Sequence, residues 1–321
     1  MAPTAINQRA QDMDRPPIAA STQNVMPASR LRAVRFAFPL FAMIVATVCH
    51  SSPGTSVSMP LTIDDGGRYT AAVKLNGQGP FQFIVDTGSQ TSVLPARVAS
   101  QLKLQSGPVV PMIGASGSEP SATVTVDDYR SDLFDRHDEP MVIIPNDSFS
   151  KADGVLGMNA FVSGRVEFDF VKRLLTAGPS MPAPAGFMVQ RGSVRQGNFM
   201  VVDVVIDGVR ASAMIDTGGK QTVCNPKLQA ALGLKPGDSD LLPIDPIKGV
   251  TGQQTMAWET TLDTLLVDGV TFSEPTVAFA DLPVFRVLGL DDGPAMIIGI
   301  DQLSSLQALA IDYPRAELQL R

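Results

Sequence analysis

Phe81-Gln82-Phe83-Ile84-Val85 runs an apolar strand straight into Asp86-Thr87-Gly88-Ser89, and 130 residues further on Ala213-Met214-Ile215 runs into Asp216-Thr217-Gly218-Gly219. A single Asp-Thr-Gly after a strand reads as a turn. Two of them, each behind an apolar strand, point to two copies of one unit that carry a carboxylate at the same place.

The surroundings repeat in the same order. Asp86 to Leu104 aligns without a gap on Asp216 to Leu234, matching Val93 with Val223, Leu102 with Leu232 and Leu104 with Leu234. Ahead of the first loop, Tyr69 to Leu75 reads as a strand and Asn76-Gly77-Gln78-Gly79 as a hairpin turn. Ahead of the second, Phe199 to Ile206 and Asp207-Gly208 do the same. Behind each loop comes a short helix. Pro95 to Leu102 has Pro95 at the first helical position, and Asn225 to Leu232 begins at an Asn N-cap.

A glycine-bounded tip between extended runs, Gly114-Ala115-Ser116-Gly117, returns as Gly249-Val250-Thr251-Gly252. Glu139-Pro140-Met141-Val142 returns as Glu274-Pro275-Thr276-Val277, Val155-Leu156-Gly157 as Ile297-Ile298-Gly299, and Phe168-Asp169-Phe170 as Ile311-Asp312-Tyr313. The second copy is longer by one interval, 25 residues from Glu274 to Gly299 against 18 from Glu139 to Gly157. The excess, around Phe285 to Gly293, is expected to be tolerated surface slack rather than a cleft-side loop. The acidic stretch Asp132 to Glu139, with His137 in it, is expected to be a solvated loop.

The chain's 321 residues suffice for two domains with their own cores, and 25 Pro with 27 Gly indicate turns and strands rather than long helices. The expected layout is a leader over 1–51, a first lobe over 52–178, a Pro-rich linker over 179–189 and a second lobe over 190–321. Ala37 to Val48 is a 12-residue apolar segment behind Arg30, Arg32 and Arg35. That is short of the roughly 20 residues a spanning helix needs, but suits the core of a secretory signal, with Met26 as a possible true start. The protein is thus expected to be periplasmic or secreted, with no membrane span after signal cleavage. Lipid anchoring through Cys49 is the less favoured variant.

Loss of residues 1–51 removes five Arg and two Asp from 25 basic and 32 acidic residues, leaving 20 against 30, a net charge of −10. So acidic a chain is a poor nucleic-acid binder. With Cys49 in the leader, Cys224 has no partner for a disulfide and is expected to be a small buried hydrophobe. His50 and His137 are the only two histidines, too few for a histidine-based metal site or a Ser-His-Asp triad. No metal or cofactor is expected.

From Tyr69 to Leu320 the chain resembles the aspartic protease clan of pepsins and retropepsins, in the bacterial form that fuses two retropepsin-like lobes in one secreted polypeptide. The resemblance rests on the two Asp-Thr-Gly loops, the two glycine tips and the two apolar-apolar-Gly segments. It implies an all-β, bilobal acid-protease fold of two pseudo-twofold-related β-barrel lobes with one short helix each. It also implies an endopeptidase acting on a polypeptide substrate as a monomer, a pseudo-dimer within one chain. Asp86 and Asp216 would be the catalytic pair. Thr87 and Thr217 would lock the two loops across the axis, and Gly114 to Gly117 with Gly249 to Gly252 would close over the substrate as flaps without the flap tyrosine of pepsins.

Pseudo-twofold symmetry brings equivalent loops together at the axis. Two carboxyls about 3 Å apart cannot both ionise cheaply, so they share a proton. One can then act as base towards a water and the other as acid towards a carbonyl, with no metal and no acyl-enzyme. Gly88 and Gly218 allow the tight turn and the close approach of the two backbones. Ser89 can donate to the Asp86 carboxylate whereas Gly219 has no side chain to do so for Asp216. Asp86 is therefore expected to be the more often ionised member and Asp216 the protonated one. Trp258, beyond the second tip, is expected in a partly buried packing role. The alternative to an enzyme is a catalytically silent bilobal module that keeps the groove to bind peptides or partners.

Overall fold

The structure, a computed structural model, describes residues 54–146, 152–235 and 237–321. The leader, Met26, Cys49 and His50 lie outside the described residues.

In the first lobe, β1 (Val57–Ile63), β2 (Tyr69–Leu75) and β3 (Gln78–Asp86) form an antiparallel meander. The β2–β3 turn has positive φ at Asn76 (49°) and Gly77 (73°), the pair of left-handed residues that a two-residue hairpin turn requires. β4 (Val93–Pro95) leads into α1 (Ala96–Gln101). Pro95 is thus the last strand residue and the N-cap rather than the first helical residue, because it is still registered against Ile144 of the neighbouring strand. β5 (Ser106–Gly114) and β6 (Gly117–Arg130) are the arms of the first glycine-tipped hairpin, and β7 (Asp135–Ile144) pairs back along β6. β8 (Gly154–Gly157), β9 (Arg165–Asp169) and β10 (Leu174–Gly178) complete the lobe.

The acidic stretch is therefore not a loop from Asp132 to Glu139. β7 begins at Asp135, and His137 stands opposite Asp128 of β6. Backbone pairing alone makes this strand, since its polar side chains give no apolar alternation to read. His137 is exposed, as expected.

β11 (Met188–Arg191) begins within the last two residues of the expected linker and pairs with the C-terminal strand, and β12 (Ser193–Arg195), β13 (Phe199–Ile206) and β14 (Val209–Ile215) follow in the second lobe. β15 (Val223–Cys224) leads into α2 (Pro226–Ala231), whose N-cap Asn225 accepts the Leu228 N–H at 2.8 Å. β16 (Leu242–Lys248) and β17 (Gln254–Thr261) carry the second tip. They are followed by β18 (Thr264–Val267), β19 (Val270–Ser273), β20 (Thr276–Phe279) and the one-turn helix α3 (Val284–Val287). The chain ends with β21 (Ala295–Ile298), the one-turn helix α4 (Ile300–Leu303), β22 (Ala308–Asp312) and β23 (Glu317–Leu320).

The fold is all-β and bilobal, with more helix than one short element per lobe. α4 and its counterpart, a 3-10 turn at Met158–Ala160, follow Gly299 and Gly157, where each chain turns away from behind its Asp loop. α3 is peculiar to the longer second copy, and it is not slack. Phe285, Leu288 and Leu290 are at most 4% exposed and pack with Phe199, Val223 and Ile297. Each side chain buried in this way contributes roughly 1.5–3 kcal/mol, so the added residues brought their own core.

A shared sheet joins the lobes. β22 pairs antiparallel with β9, from Ala308 opposite Asp169 to Asp312 opposite Arg165. β10 and β1 extend the sheet on one side and β23 and β11 on the other. Phe168, Leu309, Ile311 and Leu318 on these strands are fully buried, so the core runs through both lobes.

Candidate active site

Each Asp stands where a strand ends beside a parallel neighbour. β8 lies along β3 with Asp86 opposite Gly157, and β21 lies along β14 with Ile215 opposite Ile298. The apolar-apolar-Gly segments thus pass directly behind the loops. A Cβ on Gly157 would come within 2.4 Å of the Thr91 carbonyl carbon, and one on Gly299 within 2.6 Å of that of Gln221. Backbone crosses backbone there, and only glycine fits. The crossing is fixed by two hydroxyls. Ser92 Oγ accepts the Gly157 N–H at 3.2 Å, and Thr222 Oγ1 accepts the Gly299 N–H at 3.1 Å while donating to Asp301 at 2.9 Å. The sequence reading missed this pair, yet its signal was present: each hydroxyl lies six residues after its Asp, at matched places in the repeat.

The loops are bolted together by their threonines, as the resemblance implied. Thr87 Oγ1 donates to the Ile215 carbonyl at 2.8 Å and accepts the Thr217 N–H at 2.9 Å. Thr217 Oγ1 donates to the Val85 carbonyl at 2.7 Å and accepts the Thr87 N–H at 3.1 Å. Both residues are fully buried, so each hydroxyl satisfies one donor and one acceptor of the other lobe that would otherwise be stranded.

This clamp brings Asp86 and Asp216 together, close enough for each carboxyl to act on the other's proton affinity. A Cβ on Gly88 would lie 2.6 Å from Asp216 Oδ1, and one on Gly218 2.2 Å from Asp86 Cγ. Each carboxyl therefore rests on the glycine of the opposite loop. Burial raises Asp86 well above the ordinary carboxylate range, and the Asp216 charge and the hydrogen bond to it add to this, against one backbone N–H from Gly88 at 2.7 Å. Burial raises Asp216 too, but the hydrogen bond from Asp86 and the N–H groups of Gly219 and Gly218, both at 2.9 Å, draw it back. Asp216 thus accepts two loop N–H groups and Asp86 one, which favours the anion on Asp216 and the shared proton on Asp86, whereas the Ser89 hydroxyl was expected to favour the opposite. Ser89 explains the reversal, because its hydroxyl donates to the Thr91 carbonyl at 2.9 Å and leaves Asp86 alone.

A buried cation also acts on the pair. Arg68 is 5% exposed and gripped by Asp64, with Nη2 at 2.6 Å and Nε at 2.9 Å from Oδ2. Burial alone would raise Asp64, but the hydrogen bonds and charge of Arg68 outweigh it and hold the carboxyl low. The positive charge of Arg68 reaches both dyad carboxyls and favours their ionised forms. No motif marks Arg68, and the sequence reading passed over it.

The two glycine tips meet. Ser116 Oγ donates to the Ile247 carbonyl at 2.9 Å, Gln253 Nε2 donates to the Ser118 carbonyl at 3.2 Å, and a Cβ on Gly114 would touch Val250 and Thr251 at 3.0 and 3.2 Å. The first tip also rests on α3, whose Val284 N–H points to the Ala115 carbonyl at 3.4 Å. α3 is tied in turn to the first Asp loop. Arg195 Nη1 donates to the Leu288 and Gly289 carbonyls, both at 3.0 Å, and Asn198 Nδ2 donates to those of Gln90 and Ser89 at 3.0 and 3.4 Å.

Other sequence candidates stand apart. Trp258 is 37% exposed, with most of its surface covered. Its neighbour Ala257 faces the core, and the strand alternation turns Trp258 outward. Cys224 is buried within the main core, where burial raises its thiol far above the ordinary range. Asp128, Asp135 and His137 gather at the surface, but Arg130 Nε lies 2.5 Å from Asp128 and 3.0 Å from Asp135, placing a cation where a metal ion would sit.

The fold and the paired loops define an aspartyl protease architecture. The aspartyl protease family model matches residues 71–160 and again 202–302, and the chain belongs to that family. No curated protein matches the chain. No helix among the described residues is long and apolar enough to cross a membrane.

Proposed function

We propose that the protein is an aspartic endopeptidase that hydrolyses polypeptides through Asp86 and Asp216. The observation that carries this reading is the pair of buried carboxyls, each set against the glycine of the opposite loop, at loops cross-locked by Thr87 and Thr217. Ionised Asp216 takes a proton from a water while protonated Asp86 donates its proton to the carbonyl oxygen of the scissile peptide. The water oxygen bonds to the carbonyl carbon and gives a neutral gem-diol. Asp86, now the carboxylate, takes a hydroxyl proton as Asp216 delivers its own to the amide nitrogen, and the C–N bond breaks to an acid and an amine. The proton is back on Asp86, so the dyad returns to its starting state. Ser89, Gly219 and the support residues Gly88 and Gly218 hold the turns, and residues 114–117 and 249–252 cover the peptide.

The signal-like leader supports export to the periplasm or beyond. The lobes are assigned to 52–178 and 190–321 with 179–189 as linker, working as a monomer because fusion holds the partner lobe at high effective concentration.

Digestion of a random peptide library tests the reading. Wild type should cleave, and Asp86→Asn and Asp216→Asn should each lose at least about a thousandfold in kcat/KM. Equal cleavage by all three would end the dyad assignment, and binding without cleavage by wild type would identify a silent peptide-binding module.

A further inference from the structure

The carboxyl pair has a buried cation on one side only, and the strand register puts it there. β2 and β3 pair from Val73 opposite Phe81 to Thr70 opposite Ile84. Two residues further along that register, Arg68 falls opposite Asp86, and residues directly opposite on neighbouring strands project to the same face. In the second lobe Val201 of β13 stands opposite Met214 of β14, and the same extension puts Phe199 opposite Asp216. A guanidinium in one copy is an apolar ring in the other.

Asp64 fixes that guanidinium from the turn before β2. Its Oδ1 accepts the Gly66 and Arg68 N–H groups at 2.8 and 2.9 Å, while Oδ2 accepts Nε and Nη2 of Arg68. The turn leans on the second Asp loop, for a Cβ on Gly66 would stand 2.5 Å from Lys220 Cε. The buried Asp64–Arg68 pair thus borders both loops, and the Arg68 charge acts on both Asp86 and Asp216. Asp64, held low, stays ionised beside it. Other charged groups of this region, Asp65, Lys220 and Arg173, are exposed and act through water. The Tyr313 phenol is buried and pushed up, so it stays neutral.

Burial opposes any charge on the dyad, and a fixed cation within reach offsets that cost. We infer that Arg68 is a positioning residue whose cation, set across from Asp86 and oriented by Asp64, keeps one dyad carboxyl ionised into more acidic conditions and so sets the acid limit of catalysis. The limit on catalysis rests on the hydrolytic reading of the site, whereas the effect on ionisation does not.

Two measurements test this in wild type, Arg68→Met, Asp64→Asn and the double variant Asp64→Asn/Arg68→Met. One is the pH dependence of kcat/KM on a cleaved library peptide. The other is the titration of the Asp86 carboxyl-carbon NMR resonance, assigned by its loss in Asp86→Asn. Arg68→Met should move the acid limb and the titration up by about one pH unit. Asp64→Asn keeps an oxygen for the turn N–H groups but removes the counter-charge, and should move both down. A merely structural pair would not give opposite displacements. The double variant leaves no buried charge unpaired and should move both up by about half a unit, which decides the matter if a single variant fails to fold. An unmoved titration in Arg68→Met or the double variant, or shifts of one sign in both single variants, would overturn the inference. If wild type cleaves nothing while the titration shifts as stated, the action of Arg68 on the dyad stands and the hydrolytic reading falls. If wild type cleaves and the titration does not move, the inference alone falls.

Discussion

Asp216 accepts the N–H groups of Gly218 and Gly219, whereas Asp86 accepts that of Gly88 and the Ser89 N–H turns to the Asp86 backbone carbonyl at 3.2 Å. The loops otherwise match: threonines exchange the same four bonds, and Met158 and Ile300 N–H groups return to the Ser89 and Gly219 carbonyls at 3.0 and 2.8 Å. A difference at the fourth position thus acts through the backbone rather than through a side-chain hydrogen bond. A Cβ on Gly219 would lie 2.9 Å from Asp216 Oδ2, so glycine lets that turn draw both amides onto the carboxylate. One half of a near-symmetric pair is thereby made the better anion.

The symmetric part of the comparison predicts the largest effect. Thr87→Val and Thr217→Val each strand a buried carbonyl and a buried N–H in the opposite lobe, and each should destabilise the protein by about 2–4 kcal/mol in urea unfolding. The two costs should agree closely, and a marked inequality would show that the clamp is shared unevenly.

The asymmetric part predicts a difference in pH dependence. Because the folded-state pKa of Asp86 is raised, the native protein keeps a proton that the unfolded chain has released once the pH exceeds the ordinary carboxylate value near 4. Stability that is present below that value is lost as pH rises through the raised one. Asp86→Asn cannot ionise and escapes this loss. Its Tm should exceed that of wild type at pH 7, with the difference vanishing near pH 4, in calorimetric scans across that range. Asp216→Asn should gain less, since Asp216 is raised less firmly. A larger gain for Asp216→Asn would move the proton to the other carboxyl.

The smallest effects come from the fourth position itself. Gly219→Ala crowds Asp216 and should cost about tenfold in kcat, because the carboxylate must leave its two amides. Ser89→Gly, whose lost hydroxyl served only the Thr91 carbonyl, should stay within about twofold. Equal losses in kcat would mean that Ser89 acts on the dyad after all.

Much of this architecture could be read before any coordinates, because the chain contains its own alignment. The repeat singled out Asp86 with Asp216, Thr87 with Thr217, the two glycine tips and the glycines of the crossings, and the Asn225 cap obeyed local rules. These features depend on backbone conformation within a few residues or on identity between copies. Ser92 and Thr222 obeyed the same logic and were legible in principle.

Other features depended on residues far apart in the chain. Which carboxyl is the better anion turns on the direction of four loop N–H groups, which the motif does not encode. That the segment around Phe285 to Gly293 would pack through the one-turn helix α3 under the first tip, and that His137 would sit in a strand, depended on partners more than 80 residues away in one case and on backbone pairing without apolar alternation in the other. The sequence by itself determined that Asp86 and Asp216 belong together. Only the tertiary structure decided that they are unequal, because a carboxyl's proton affinity is set by the burial, charges and amides that surround it in space.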